Sequence, residues 1–384
     1  MKPEEFDDQQ RAHLLTTSEG AIAFVPPPLP PAFNLSEVTR NLTLADRAIG
    51  ELNGAARRLQ NPMMLVTPLI RKEALTTSAM EGTITTIDDI LFQEIVPNKL
   101  KDDDAREAYN YKAALSLTME QCKTLPISGR VLKHAHRILL SGLSPGRGAG
   151  KRPGEYKKQQ NAIGTTGDSI FTARYVPPPP KETEDCMARL EGFINREDRT
   201  GGEELVDLAL AHYQFEAIHP FQDGNGRIGR MMICLMAIQT GLMKLPLLHL
   251  SSVLEQHKST YVDRLFRVST HGEWANWINF FLDVVRQSCM SATRAVDQVI
   301  ELQAELKQRA LANDKNHRLS TIIDALFEQE WTTAPEVQRL CGTTFPTAQK
   351  DIQELVQIGI LSHFANSTRP AIYIARPIWD LSRR

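Results

Sequence analysis

The sequence predicts a mainly α-helical protein of several domains, and three observations predict it. Apolar residues recur at helical spacing through most of the span from Asn34 to Ala312. One hairpin pattern interrupts them: Ala162-Ile163-Gly164, a turn around Thr166-Gly167-Asp168, then Ile170-Phe171 leading to Tyr175. From Arg318 onward the pattern shortens to three brief helices and two strand-like runs around a polar turn. A chain of 384 residues exceeds the roughly 100–200 residues of a usual domain, so two or three domains are expected.

Each element is dictated by its residues. Pro26-Pro27-Pro28-Leu29-Pro30-Pro31 cannot be helical and predicts an extended stretch along the surface of the helical region after it. Ser36 is placed to cap one helix, and Leu65, Ile70, Ala74 and Leu75 line another that stops at Gly82. Helical spacing returns from about Asp103 to Leu143, whereas 142–154, rich in Gly, Pro, Arg and Lys, reads as a loop. After the hairpin, closed by Pro177 to Pro180, helices are expected over Glu182 to Asn195 and Glu203 to Ile218. The pattern breaks at His219-Pro220 and resumes after Gly226 as an apolar helix. A long helix from Trp274 to about Ala312 grows polar toward its end and reads as a connector. Three helices (Leu319 to Glu330, Ala334 to Leu340, Phe345 to Ile358) and a two-stranded wing then come in the winged-helix order. The expected division is an N-terminal region 1–102, a core 103–290, a connector 291–316 and a winged-helix domain 317–384.

Composition excludes several classes. A net charge of −2 gives no general cationic field for nucleic acid or an anionic membrane. Cys122, Cys186, Cys234, Cys289 and Cys341 are odd in number and show no CxxC spacing, against both a disulfide framework and a zinc site. No apolar run approaches the roughly 18 residues that span a bilayer, and the N-terminus lacks an apolar signal-type run. A cytoplasmic protein without a membrane partner is expected.

The chemistry is concentrated in His219-Pro220-Phe221-Gln222-Asp223-Gly224-Asn225-Gly226-Arg227-Ile228-Gly229-Arg230. Gly224 and Gly226, with Asn225 between them, let the backbone bend just before a helix and turn N–H groups outward, as phosphate requires. Asp223 offers a hard oxygen to Mg2+. Arg227 and Arg230 present two guanidinium groups from one helical turn. His219 is a base available near neutral pH. Taken singly, each part is a loop histidine, a turn or a solvated helix face; together, in this order, they form a site.

The stretch resembles the Fic signature HPFx[DE]GNGRxxR at every specified position. The similarity extends to Glu107, Asn110 and Tyr111, to the loop and hairpin from Gly154 to Pro180, and to the Pro-rich N-terminal region. It implies a helical bundle with a β-hairpin flap, and an Mg2+-dependent transfer of AMP from ATP to a Ser, Thr or Tyr hydroxyl of a protein, itself included. By the same resemblance His219 deprotonates the hydroxyl, Phe221 anchors the loop, and Asp223 holds the metal. Gly224, Asn225 and Gly226 cradle phosphate, while Arg230, assisted by Arg227, takes the terminal phosphate. Gly226 favours nucleotidyl over terminal-phosphate transfer, since relatives of the latter kind carry lysine there. The flap, with Ile163, Gly164 and Phe171, would dock a target segment as an added strand.

Thr77-Ser78-Ala79-Met80-Glu81-Gly82 places a carboxylate at the negative end of a helix, an arrangement that costs roughly 0.3–1 kcal/mol unless a cation offsets it. It resembles the Fic inhibitory motif [ST]xxxE[GN] through Thr77, Glu81 and Gly82. The resemblance implies a Glu81–Arg230 pair that keeps ATP out of its productive pose.

Other signals are thinner. His212, Glu216 and His219 share a helix face, but without the HExxH order His212 is read as a core or capping residue. Tyr261 stands where relatives place aromatics near adenine; Val253 departs from their tyrosine-rich pattern and leaves the base open. The last domain balances seven basic against seven acidic residues, which ranks protein contact or homodimerisation above DNA binding, with Arg369 the best DNA-contact candidate. Two rival readings remain: a hydrolase that removes AMP, and a DNA-binding regulator whose nucleotide site only senses.

Overall fold

A computed structural model describes every residue except 60, 96–101, 165–168, 199–201, 314–316, 365–369 and 383–384. Thr166-Gly167-Asp168 and Arg369 lie outside the described residues. The chain divides into two compact units, Met1–Gly50 with Glu73–Cys289, and Glu51–Lys72 with Met290–Arg384.

The elements of the first unit begin with helix α1 (Asp8–Arg11) and a small hairpin, β1 (Leu14–Thr16) and β2 (Ile22–Phe24), which pair antiparallel. Sequence periodicity did not reveal this hairpin, since its strands are three residues each. Helices α2 (Thr39–Ala56), α3 (Met63–Met80), α4 (Ile87–Ile95), α5 (Asp103–Cys122) and α6 (Gly129–Leu139) come next, the first two crossing the boundary between the units. Ser36 does not cap: it lies within a short 3-10 turn, where Asn34 Oδ1 accepts the Ser36 N–H at 3.1 Å. Asn34 is the N-cap of that turn, and the Ser36 hydroxyl donates to the same Oδ1 at 2.8 Å instead of accepting from a helix N–H.

Then come α7 (Pro180–Ile194), α8 (Glu204–Ile218), α9 (Asn225–Gln239), α10 (Ser251–Gln256), α11 (Lys258–His271) and α12 (Trp274–Asn313), which ends in the second unit. Helix α8 is buried on nearly every side and packs on α7, α9 and α11. A helix apolar all round has no solvent face to offer, so α8 becomes the axis of the core. Trp277 of α12 is fully buried, and its Nε1–H donates to the Ala209 carbonyl of α8 at 2.9 Å. Asp102 caps α5 by accepting the Asp104 N–H at 3.0 Å.

In the second unit the order is α13 (His317–Glu328), β3 (Trp331–Thr333), α14 (Ala334–Cys341), α15 (Phe345–Gln357), β4 (Ser362–His363), β5 (Ile372–Ile374) and α16 (Arg376–Ser382). The strands form an antiparallel sheet in the order β3-β5-β4. Strand β3 was not expected, because three residues leave no periodicity to read. Thr333 and Glu336 form a capping box at the start of α14. Within this unit Arg71 Nη1 and Glu330 Oε1 form a buried pair at 2.9 Å.

Candidate active site

Helix α8 ends where the chemistry begins. His219 is its C-cap at φ 48°, ψ 60°, a left-handed conformation unusual for a side-chain-bearing residue, and its N–H donates to the Phe215 carbonyl at 2.9 Å. Pro220 cannot continue the helix. Phe221 is fully buried and stacks on His136 with ring centroids 4.0 Å apart. The Gly154 N–H donates to His136 Nδ1 at 2.9 Å, so the proton lies on Nε2, which donates to the Asp223 carbonyl at 3.0 Å. Burial draws the His136 pKa down to about 4, which keeps this ring neutral. Asn225 closes the loop, accepting the Phe221 N–H and donating to the Phe221 carbonyl, both at 2.8 Å.

The loop thus delivers α9 with its first turn uncovered: Gly224 at φ 77° is the N-cap, and no side chain caps the helix. Bare N–H groups and the positive helix end suit an anion. The Asn225 amide is spent on Phe221, which leaves its backbone N–H for a phosphate.

The end of α3 stands against this turn. The Gly82 N–H donates to the Ala79 carbonyl at 3.0 Å and the Thr83 N–H to the Ser78 carbonyl at 3.1 Å, a Schellman closure with Gly82 at φ 88°. Glu81 is therefore the last residue before the chain turns away. Its Oε1 accepts from Arg230 Nη2 at 2.6 Å, while Arg230 Nε donates to Thr77 Oγ1 at 2.7 Å and Nη2 to the Thr77 carbonyl at 3.0 Å. Arg230 is 2% exposed and Glu81 37%. Burial works to raise the Glu81 pKa, yet the Arg230 guanidinium holds it below the usual value. The offset that a carboxylate at a helix C-terminus requires is thus Arg230. A Cβ on Gly226 would lie 2.3 Å from Glu81 Oε1 and 2.8 Å from Arg230 Nη1, so the pair rests on bare backbone.

A cavity of about 590 Å3 joins these groups, lined by Glu81, Gly226, Arg230, His219, Tyr261 and, from the flap, Ile163 and Gly164. Asp223, Gly224, Asn225, Arg227 and Phe171 are not among its walls. Burial first, and then the Lys157 ammonium, push the His219 pKa down to about 4, against the opposing pull of Glu81 and the Glu216 carbonyl. The imidazole is neutral at pH 7 and free to accept a proton. Glu216 also lines the cavity; burial raises its pKa to about 7, and its Oε1 has no hydrogen-bond partner among the described residues. Tyr261 is buried, with its hydroxyl 2.9 Å from His212 Nε2. His212 is itself fully buried, with a pKa lowered by burial to about 3, a core residue.

Arg227 differs from expectation. It is buried and pairs with Glu107, and its Nη2 meets Asp223 Oδ1 at 3.2 Å. Arg147 joins this network, donating from Nη2 to Glu107 Oε2 at 2.6 Å and to Thr83 Oγ1 at 3.2 Å. Arg227 is thus committed to two carboxylates and orders the loop instead of facing the cavity beside Arg230. The flap differs too: its pairing among the described residues is one bridge, Ile163 to Tyr175, with N–H···O distances of 2.8 and 3.0 Å. Phe171 sits in the turn, 60% exposed.

Asp223 is 39% exposed; among the described residues its Oδ1 alone is engaged, by the Gly224 N–H and Arg227. Burial raises its pKa above the usual carboxylate value. Among the described residues no three acidic, His or Cys side chains gather to hold a metal unaided. Sequence reasoning missed His136, Lys157 and Asn161, and read Glu216 only as a member of the helix face it shares with His212 and His219. A histidine at an apolar helix position and a lysine in a basic run carried no periodic signal, and only the fold brings them to the loop.

Residues 39–120 match the Fic/DOC family N-terminal region and residues 126–237 the Fic/DOC family, together about half of the chain. Among relatives, the protein adenylyltransferase Fic of Culex quinquefasciatus is 25% identical over 189 residues, 48% of this chain and 34% of the relative. That of Drosophila willistoni is 22% identical over 293 residues, 73% and 53% respectively. The chain therefore spans about a third to a half of the length of these curated relatives. Among solved structures, a Fic family protein from Desulfovibrio desulfuricans superposes with a TM-score of 0.57 at 18% identity, over 90% of this chain and 98% of the other. Fic-1 from C. elegans gives 0.51 at 18% identity, over 69% and 75%. With its described helices in that fold and both family regions in sequence, the chain belongs to the Fic/DOC family.

Proposed function

We propose that the protein is an adenylyltransferase that moves AMP from ATP to a hydroxyl of a protein, and that Glu81 holds it off. The observation that carries this is one cavity lined by a neutral His219, the bare turn at Gly226 and Arg230, with Glu81 seated on the arginine. The name shared by the sequence relatives points the same way. In the reaction, His219 takes the proton of the target Ser, Thr or Tyr hydroxyl, whose oxygen attacks the α-phosphorus as pyrophosphate leaves. Backbone N–H groups of the first turn of α9 meet the phosphate oxygens, and Arg230 takes the terminal phosphate once Glu81 has withdrawn. Positioning and charge neutralisation supply most of such catalysis.

Asp223 fits Mg2+: it offers a carboxylate oxygen that no described residue engages, and Mg2+ commonly draws the rest of its shell from phosphate and water. The ion supplies neutralisation of phosphate charge there. For the flap, the Ile163 edge beside the cavity suits a target segment added as a strand, with Gly164 giving its backbone room and Phe171 an exposed apolar contact. In the second unit we infer a winged-helix module that meets protein, because α15 spends Asp351 on Arg318, at 2.9 Å from Nε, and its local charge is balanced.

The test is self-labelling with α-labelled ATP. Glu81→Gly should label strongly and Glu81→Gly with His219→Ala should not; equal labelling by the two would remove His219 as the base.

A further inference from the structure

Four successive carbonyls of the catalytic turn are held from one short segment ahead of the flap. Lys157 Nζ donates to the Ile218 carbonyl at 3.1 Å, and the Lys157 N–H to the Pro220 carbonyl at 2.8 Å. Asn161 Nδ2 donates to the His219 carbonyl at 3.2 Å and to the Phe221 carbonyl at 3.0 Å. Lys157 Nζ also donates to Asn161 Oδ1 at 2.9 Å, which fixes the amide so that its NH2 faces the turn. Lys157 is buried and contacts only neutral oxygens among its described bonds; burial lowers its pKa to about 7, so the amine carries its full charge on the acid side of neutrality.

The backbone of His219 calls for such a grip. A non-glycine residue at φ 48° is held there only if its surroundings over-determine it. The Phe215 bond secures its N–H, and the carbonyl side needs an equal hold. We propose that Lys157 and Asn161 are positioning residues for the catalytic base, gripping the carbonyls on both sides of His219 and tying its turn to the flap strand. Asn161 lies two residues before Ile163, whose N–H and C=O form the flap bridge. A target strand laid along Ile163 is thus registered against the same side chain that holds the His219 carbonyl. The hydroxyl and its base share one reference point.

Lys157 has a second consequence, because its Nζ is held on the carbonyl of Ile218, the residue next to His219. The charged groups that line the cavity with His219 are Glu81 from the end of α3, Arg174 from the flap, Glu216 from α8, Arg230 from α9 and Lys258 from α11. Lys157 disfavours the imidazolium and keeps the base unprotonated toward lower pH.

The inference rests on the adenylyltransferase reading, and the experiment separates the two. In full-length Glu81→Gly protein, initial rates of self-labelling are measured against ATP concentration and pH for Lys157→Met and Asn161→Ala. Each variant should lower kcat by about 10–100-fold while KM for ATP stays within about twofold. The acid limb of the Lys157→Met profile should move to higher pH, whereas Asn161→Ala, which keeps the cation, should leave it in place. A purely structural role would not split the two variants in this way. Parental kcat in both variants overturns the inference alone. Loss of ATP affinity in both also overturns it, by assigning the pair to nucleotide binding or folding. A Glu81→Gly parent that labels nothing overturns the functional reading and this inference with it.

Discussion

Replacing Glu81 by Gln keeps the side-chain volume and removes the charge that holds Arg230. A hydrogen bond between charged groups contributes about 1.5–3 kcal/mol. Glu81 is 37% exposed, so solvent screens its share, and about 1–2 kcal/mol is the appropriate loss. That is about a five- to thirty-fold rise in the fraction of molecules whose arginine is free. Thr77→Val attacks the same arginine from the other side by deleting the 2.7 Å bond to Nε, and it leaves a buried donor unpaired at a cost of about 1–3 kcal/mol. The assay is the initial rate of AMP incorporation at saturating ATP, normalised to ATP bound. Glu81→Gln should raise the rate by about 5–30-fold, Glu81→Gly by at least as much, and Thr77→Val by a smaller factor, because Thr77 also orients Arg230, the proposed phosphate ligand. An unchanged rate in both Glu81 variants, with ATP still bound, would refute the reasoning: the ion pair would then be a structural contact and not a brake.

Phe221→Ala empties the fully buried anchor beneath the loop and should cost about 3–5 kcal/mol in urea unfolding, with a loss of activity exceeding the loss of folded protein. Glu216 has a folded-state pKa raised by burial to about 7 from 4.5, so its ionisation opposes folding: the penalty is absent below the unfolded value and grows as pH rises from there to about 7. Glu216→Gln should therefore gain about 1–3 kcal/mol over the wild type at pH 8 and little at pH 4; equal differences at both pH values would overturn the assignment. Asp223→Asn removes the proposed metal ligand, so the Mg2+ concentration for half-maximal labelling should rise by about tenfold or more. Gly229→Ala places a Cβ 2.4 Å from Glu216 Oε1 and 3.1 Å from Phe215, and should lower the melting temperature measurably.

The helices of the first unit were legible because their periodicity and breakers agree: His219-Pro220 ends α8 and Gly82 ends the helix before it, as their residue types dictate. The catalytic segment was legible because its parts are contiguous. The features that escaped were either short or assembled from afar. Strands of two or three residues leave no alternation to count, which hid β1, β2 and β3. Lys157, Asn161 and His136 serve the loop by touching backbone atoms, and a residue that bonds carbonyls needs no partner of a particular type in the sequence. The partners of Arg227 were hidden for a related reason: its neighbour in the chain is Arg230, but its neighbour in space is Glu107, 120 residues upstream.

If Glu81 is the brake proposed above, its place on the helix sets how the brake is released. The last turn of any helix has the fewest hydrogen bonds to lose, and it unravels at small cost while the rest stays wound. A restraint mounted there is released by local fraying, without moving a domain or breaking the core. On that proposal, anything that tugs on the segment just beyond Gly82, whether a partner protein or a second molecule, gains leverage over the cavity from outside it.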